Sequence, residues 1–446
     1  MISNKNAKYQ MTNDKKKRGN SFIGNLSFEL CHSRSGQSLI EIIVGLAIGS
    51  ILIGAAAFAI SAMLQANLTN QKGQAALAFS QELLNKAKAY GSADWQHLYG
   101  LEKSSSTQYY LNATGTSYFV IEGKEGVIDN DVTSGLVGHW KFDEDSGSTS
   151  TITYDATANG NNGTLVGSPT RTTSTCKIAN CLQVNGTSQY VSLASSLNPT
   201  SYVTVTAWFK RVGVPTSGYH IIFMQGTQIE ISIPESTGQI RTGVTTATLG
   251  RQVFNSGTGL LDGNWHHLAL TYNGSALVSY IDGAQTATNS VTGTITTGSP
   301  TNIGNYGGYY ANGYIDDVRI YNRALSANEV KQLYSSNIFK RFFYVENACR
   351  TNDASSSISG VDPCGMGSSD DPSTQKVTSV VQWTTSAGAG QAMLSDFVTR
   401  WKNAIFQQTD WSGGVGGGSP ITSPGNTFSS SSGADFTDGS FRIQGL

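Results

Sequence analysis

One carboxylate, Glu41, interrupts a long apolar run. Residues 35–60 read S-G-Q-S-L-I-E-I-I-V-G-L-A-I-G-S-I-L-I-G-A-A-A-F-A-I. At hydrocarbon depth an isolated carboxylate is costly and requires a partner. Cleavage after Gly36 would supply one: the new α-amino group of Gln37 on a neighbouring copy, with Glu41 the fifth residue of the shortened chain. That chemistry is ion pairing between subunits.

Other residues whose types could do chemistry lie further along. Five cysteines are present, and Cys31 precedes Gly36. The remaining four, Cys176, Cys181, Cys349 and Cys364, point to disulfides outside the cytoplasm. Proximity favours Cys176–Cys181 and Cys349–Cys364, although four cysteines allow three pairings. No C-x-x-C pair or nearby histidine completes a zinc set. Asp143, Glu144 and Asp145 cluster near the start of a strand-rich region, and Asp316 with Asp317 near its end. Calcium takes several oxygen ligands, so Asp143, Asp145, Asp316 and Asp317 form a candidate set. Turn capping and backbone hydrogen bonding is the favoured competing role for Asp316 and Asp317. Trp140, Trp208 and Trp265 sit in alternating strands and are expected in the core. Tyr306, Tyr309 and Tyr310 lie in the Gly-rich loop N-Y-G-G-Y-Y-A-N-G and are the ligand-binding candidates, since an amphipathic ring contacts sugars or proteins at low cost.

A catalytic role finds little support. His139, His220, His266 and His267 fall in no acid–base motif, although one of the pair His266–His267 must point inward. There is no G-x-S-x-G elbow, H-E-x-x-H helix or phosphate loop. Glu230 and Glu235 flank I-S-I-P, but their spacing places them on opposite strand faces. The chain is therefore expected to be no enzyme.

The elements that position these residues follow from pattern. Leu39 to about Leu64 is long and apolar enough to cross a bilayer. Beyond it Ala76, Phe79, Leu83, Ala87 and Tyr90 step by three and four, one face of an amphipathic helix. A single helix from Leu39 to Tyr90 would extend roughly 78 Å. Gly45, Gly49 and Gly54 would allow close helix approach. The segment before Gly36 carries Lys5, Lys8, Lys15, Lys16, Lys17, Arg18 and Arg34 against Asp14 and Glu29. Such a flank stays cytoplasmic. An ordinary secretory signal is cut after its apolar run, whereas Gly36 precedes this one.

The combination of Gly36, Glu41 and the apolar helix resembles the prepilin signal of type IV pilins and type II secretion pseudopilins. Gln37 stands where that family usually has Phe or Met. The resemblance implies a prepilin peptidase that cuts after Gly36, N-methylation at Gln37, and assembly with other pilin or pseudopilin subunits in which Glu41 pairs with a neighbour's amino terminus.

Composition narrows the rest. At 446 residues, two or three domains are expected. Only 13% of residues are charged, and Gly, Ser, Thr and Asn supply the polarity. With a net charge of −1 and no basic stripe after the leader, nucleic acid is not an expected partner.

From Gly135 to about Tyr334 the chain reads as short strands and turns: Q-Y-V-S-L, Y-V-T-V-T-A-W-F-K, H-I-I-F-M, I-E-I-S-I, W-H-H-L-A-L-T-Y-N-G, L-V-S-Y-I-D-G and Y-I-D-D-V-R-I-Y. Val203, Val205, Ala207 and Phe209 alternate, and Asn273-Gly274 and Asp282-Gly283 are strong hairpin turns. Many short strands without long helices predict a sandwich or barrel. The stretches L-V-G-H-W-K-F-D-E (136–144), C-L-Q-V-N-G-T-S-Q-Y-V (181–191), N-W-H-H-L-A-L-T-Y-N-G (264–274) and G-Y-I-D-D-V-R-I-Y-N-R-A-L-S-A-N-E-V (313–330) resemble the laminin-G-like, concanavalin A-like jelly-roll family. That resemblance implies a binding module for carbohydrate or protein, with calcium in some members.

This domain is expected to interrupt a pilin-like head. Residues 109–128 read as a hairpin of two strands, 338–350 as another strand, and 371–385 as a further one through Val377, Val380, Val381 and Trp383. Phe397, Trp401, Ile405 and Phe406 suggest a short helix. The expected fold class is α+β multidomain: a long N-terminal helix with a pilin-like antiparallel meander, plus an all-β jelly-roll sandwich. Its segments are a leader (1–36), a transmembrane or filament-core helix (37–64), an amphipathic helix and first head strands (65–134), the inserted jelly roll (135–335), the remaining head strands and short helix (336–411), and a Gly/Ser-rich tail (412–446). The alternative is beads on a string. In function, a non-enzymatic filament subunit displaying a binding domain is expected at the cell surface. A single-span, lectin-like receptor that never polymerises is the alternative.

Overall fold

The computed structural model describes residues 39–400, except 115–116, 145–149, 194–196, 198, 299, 352–357, 362–363 and 386–387, together with 434–435 and 442–443. The leader, Gly36, Gln37, Asp145, Trp401, Ile405 and Phe406 lie outside the described residues.

Helix α1 spans Leu39–Ala93, with Glu41 in its first turn. It is long and apolar enough to cross a membrane. The chain divides into two units, Met1–Gln65 and Ala66–Leu446. In the first, Ile40, Val44, Ile51 and Phe58 are exposed.

In the second unit, the three-and-four spacing of α1 buries one face. Ala76, Leu83, Ala87 and Tyr90 are enclosed, and Phe79 meets Phe339 edge-on at 5.3 Å. They cover an antiparallel head sheet with the strand order Ser117–Glu122, Tyr109–Thr114, Ile338–Arg350, Ser369–Thr385, Gly388–Thr399. Glu125–Ile128 and Ile358–Val361 also pair with Ile338–Arg350. Residues 109–128 thus hold three strands rather than the expected two, because the third crosses to the far side of the sequence for its partner. The helix expected around Phe397 is instead strand: Phe397 faces Lys376 and Val398 faces Gln375. Period-two spacing places Leu394 and Val398 together against the α1 cluster, and that burial decides the conformation. Cys349–Cys364 ties the long central strand to the following loop.

Residues 129–337 run between two neighbouring strands of this sheet and form a sandwich. Its first sheet has the order Ala284–Ser290, Ala276–Ile281, Trp265–Tyr272, Val203–Arg211, Asn312–Tyr321, Cys181–Asn185, Thr170–Thr172, with Leu136–Trp140 paired to Asn312–Tyr321. The second has the order Gly250–Ser256, Ile240–Thr246, Ile229–Pro234, Tyr219–Gln225, Thr301–Ile303, Tyr190–Leu193, Gly163–Val166, Ile152–Thr153. Val203, Val205, Ala207 and Phe209 meet Ile229, Ile231 and Ile233 in the core between them. Asp282 and Gly283 both adopt positive φ, 51° and 73°, and close the hairpin between Ile281 and Ala284. Cys176 bonds to Cys181, the pairing proximity favours.

The short helix α2 (Trp95–Tyr99) follows α1 and is capped by Asp94, whose side chain accepts from Gln96 N at 3.0 Å. Helix α3 (Ala327–Ser335) opens with a reciprocal capping box between Ser326 and Glu329. It covers the outer face of the first sandwich sheet, where Val330 and Leu333 pack with Trp208, Ala269 and Tyr280.

Candidate functional site

The sandwich is anchored to the head by a set of buried polar contacts. Where the two join, Ile128 lies opposite Ile338, and the Asp129 carboxylate accepts from both Asn337 N and Asn337 Nδ2 at 2.6 Å. Gly126 N donates to Asp143 Oδ2 at 2.6 Å. Lys141 Nζ donates to Glu125 Oε1 at 2.6 Å, and Arg341 Nε to Glu125 Oε2 at 2.6 Å. Arg341 also reaches Glu82 of α1 at 3.2 Å. Burial alone would raise the Glu125 pKa, but Arg341 and Lys141 outweigh it and hold the carboxyl well below its usual range. Further out, Asn112 Nδ2 donates to Asp155 O at 3.0 Å, and Phe119 packs on Tyr154 at 4.8 Å.

The candidate calcium carboxylates have other partners. Asp143 accepts from Gly126 N and Asn180 N, and Asp316 Oδ2 accepts from Ile178 N at 2.8 Å. Burial pushes both well above the ordinary carboxylate range. Asp317 is held by His139 Nε2 at 2.6 Å and Arg319 Nε at 2.9 Å. Burial opposes its ionisation, yet Arg319 and His139 prevail and lower its pKa strongly. A cation beside Asp317 would meet the Arg319 guanidinium, so this arrangement does not fit a calcium ion. Among the described residues, no three His, Cys, Asp or Glu side chains are grouped to hold a metal.

The histidines also serve structure. His267 is the buried member of its pair, but it lies beneath α3 near Trp208 and Tyr334 rather than between the sheets. Burial lowers its pKa to about 4. His266 bridges Asp282 and Asp262 at 2.8 and 3.0 Å, contacts that raise its pKa. His220 and Glu235 bond at 2.8 Å, and Glu235 also pairs with Arg211. Trp140 and Trp208 are buried; Trp265 is half-buried and donates to Thr175 O at 2.7 Å.

Tyr306, Tyr309 and Tyr310 form a small hairpin, Asn305–Tyr306 with Tyr309–Tyr310, turned by Gly307 and Gly308 at positive φ. Tyr309 is 45% exposed. Its ring meets Tyr219 edge-on at 5.7 Å, and Tyr310 lies 6.3 Å from Tyr190. Arg241 sits 5.6 Å over the Tyr219 ring and donates from Nε to Glu230 Oε1 at 2.9 Å. Arg251 binds the other Glu230 oxygen. Sequence reading missed Tyr219, Arg241 and Arg251, because only the register of four separate strands brings them together.

The comparisons with known proteins divide along the chain. Residues 31–57 match the prokaryotic N-terminal methylation motif. Residues 185–331 match the concanavalin A-like lectin/glucanases superfamily. No curated protein matches the chain. Among solved structures, domain 4 of AbnA, an extracellular arabinanase from Geobacillus stearothermophilus, is 22% identical with a TM-score of 0.36; the match covers 45% of this chain and 98% of that one. Trypanosoma rangeli sialidase is 18% identical with a TM-score of 0.35, and the match covers 46% of this chain and 33% of the sialidase. The binding domain of Paraclostridial Mosquitocidal Protein 1 is 16% identical with a TM-score of 0.37, covering 59% and 75%. The chain thus carries a pilin-type N-terminal methylation motif on a long apolar helix, and a concanavalin A-like, laminin-G-like sandwich.

Proposed function

We propose that this protein is a non-enzymatic, pilin- or pseudopilin-like subunit that displays a carbohydrate-binding sandwich at the cell surface. The precursor is a single-pass membrane protein with its amino terminus in the cytoplasm. Prepilin peptidase removes the leader after Gly36, and Glu41 then pairs with the amino terminus of a neighbouring subunit. The observation that carries this reading is the anchoring of the sandwich. It is spliced between paired head strands and locked there through Lys141, Glu125 and Arg341, on a chain that bears the methylation motif. A module that must project from an assembly in one direction gains from such a mount. Tyr309 and its neighbours supply the contact surface, and no metal is assigned to it.

The amino-terminal sequence and mass of the protein in membrane and sheared surface fractions test the assembly. A chain beginning at Gln37 in the sheared fraction is expected. An uncut chain confined to the membrane would leave an anchored lectin-like receptor instead. Glu41→Ala should still be cleaved yet fail to enter the sheared fraction, because the buried amino terminus loses its counter-charge. Normal filaments in that variant would refute the pairing.

A further inference from the structure

We infer that the outer face of the second sandwich sheet is the ligand site, and that its ligand is a carboxylate-bearing saccharide. This rests on the carbohydrate-binding reading above. The first sheet has its outer face occupied by α3. On the second, alternation decides which side chains face outward. Ile229, Ile231 and Ile233 enter the core, so Glu230 and Ser232 lie on the other side. Ile240 and Val244 likewise send Arg241 outward, and Arg251 stands opposite Thr245 on the same face.

Glu230 is only 3% exposed although it sits on an outer face. Arg241, Arg251 and Ser232 surround it, with Ser232 Oγ donating at 2.7 Å. Two guanidiniums against one carboxylate leave a local surplus of one positive charge. Each guanidinium commits one nitrogen to Glu230, and no other hydrogen bond among the described residues uses either group. Glu230 therefore acts as a positioning residue, holding two planar donor forks in place. Guanidinium forks match carboxylates in shape and charge. Beside them Tyr219 and the exposed Tyr309 provide ring surface for a sugar face. Aromatic surface next to unspent guanidinium donors is the chemistry that recognises a uronic or sialic acid unit. A neutral sugar would leave the charge surplus unanswered.

The test is calorimetric titration of the detergent-solubilised full chain with trigalacturonate and sialyllactose, using arabinotriose as the neutral control. At least one acidic sugar should bind, more weakly as salt rises. Arg251→Gln should weaken that binding by about tenfold or more, the worth of a charge-assisted hydrogen bond, while Arg241 and Ser232 keep Glu230 partnered and the circular dichroism spectrum stays that of the folded parent. Arg251→Lys should fall between, since it keeps charge and loses the fork. Binding of arabinotriose alone, or acidic-sugar binding unchanged in Arg251→Gln, would overturn this inference and leave the carbohydrate reading standing. Absence of binding to all three sugars would overturn both.

Discussion

At the residue scale, the buried charges of the second unit divide into paired and unpaired groups. Glu125 is matched by Arg341 and Lys141, and Asp317 by Arg319 and a hydrogen bond from His139, and both carboxyl pKa values are depressed. Asp316 has no such partner, and its Oδ1 lacks a hydrogen bond. Its folded-state pKa is raised, so its protonated form favours folding. Stability is full below the unfolded carboxyl value of 3.8 and declines as pH rises above it. Asp316→Asn keeps the acceptor for Ile178 N and should raise the melting temperature at pH 7, by roughly 2–4 °C per kcal/mol recovered. The gain should vanish in acid. A loss at pH 7, together with calcium-dependent melting of the parent, would show that a cation holds this carboxylate after all. His267 has the opposite sign. Its pKa falls from 6.5 to about 4, so the stability tied to its neutral form is present above 6.5 and lost as pH drops towards 4. His267→Phe keeps a ring against Trp208 and should flatten the melting curve across that window; an unchanged slope would assign the acid sensitivity to other groups.

At the element scale, the contact between the strand Glu125–Ile128 and the sandwich is set by a missing side chain. A Cβ on Gly126 would lie 2.2 Å from Ile178 Cγ2 and 3.2 Å from Asp143 Oδ2. Gly126→Ala should destabilise the second unit by about 1–3 kcal/mol through overpacking, read from denaturant unfolding. Ile178→Ala removes the opposing methyl, so the double variant should lose less than the sum of the two. Additive losses would mean that the two elements are not in contact in solution. Elements with strong periodicity were legible in advance: α1 through Ala76, Leu83, Ala87 and Tyr90, and Val203–Arg211 through its alternation. Ile240–Thr246, Gly250–Ser256 and Ala284–Ser290 were not. Their polar sequences, such as A-Q-T-A-T-N-S, carry little alternating signal and become strands because a neighbouring ladder satisfies their backbone.

At the scale of the whole molecule, the sandwich occupies a position that a two-residue turn could fill. Ile128 and Ile338 are paired, and Asp129 N donates to Asn337 O at 3.1 Å. Replacing residues 129–337 with Asn-Gly should close a hairpin and leave a head that folds and forms Cys349–Cys364. Circular dichroism and free-thiol titration would check this; an unfolded product would mean that the sandwich is integral to the head. Some loss of stability is expected, since Glu125 gives up Lys141. What the sequence determined by itself was local. The charge in an apolar run at Glu41, the helical step of α1, the alternation in the sandwich strands and the nearness of each cysteine pair all depend on residues close along the chain. The tertiary structure alone decided that Phe397 is strand, that Arg341 answers Glu125, and that Tyr219, Arg241, Arg251 and Glu230 converge. Those outcomes depend on register and burial between separate segments, 216 residues apart for Glu125 and Arg341, where a side chain's partner is chosen by the packing of the sheets and not by its neighbours in sequence.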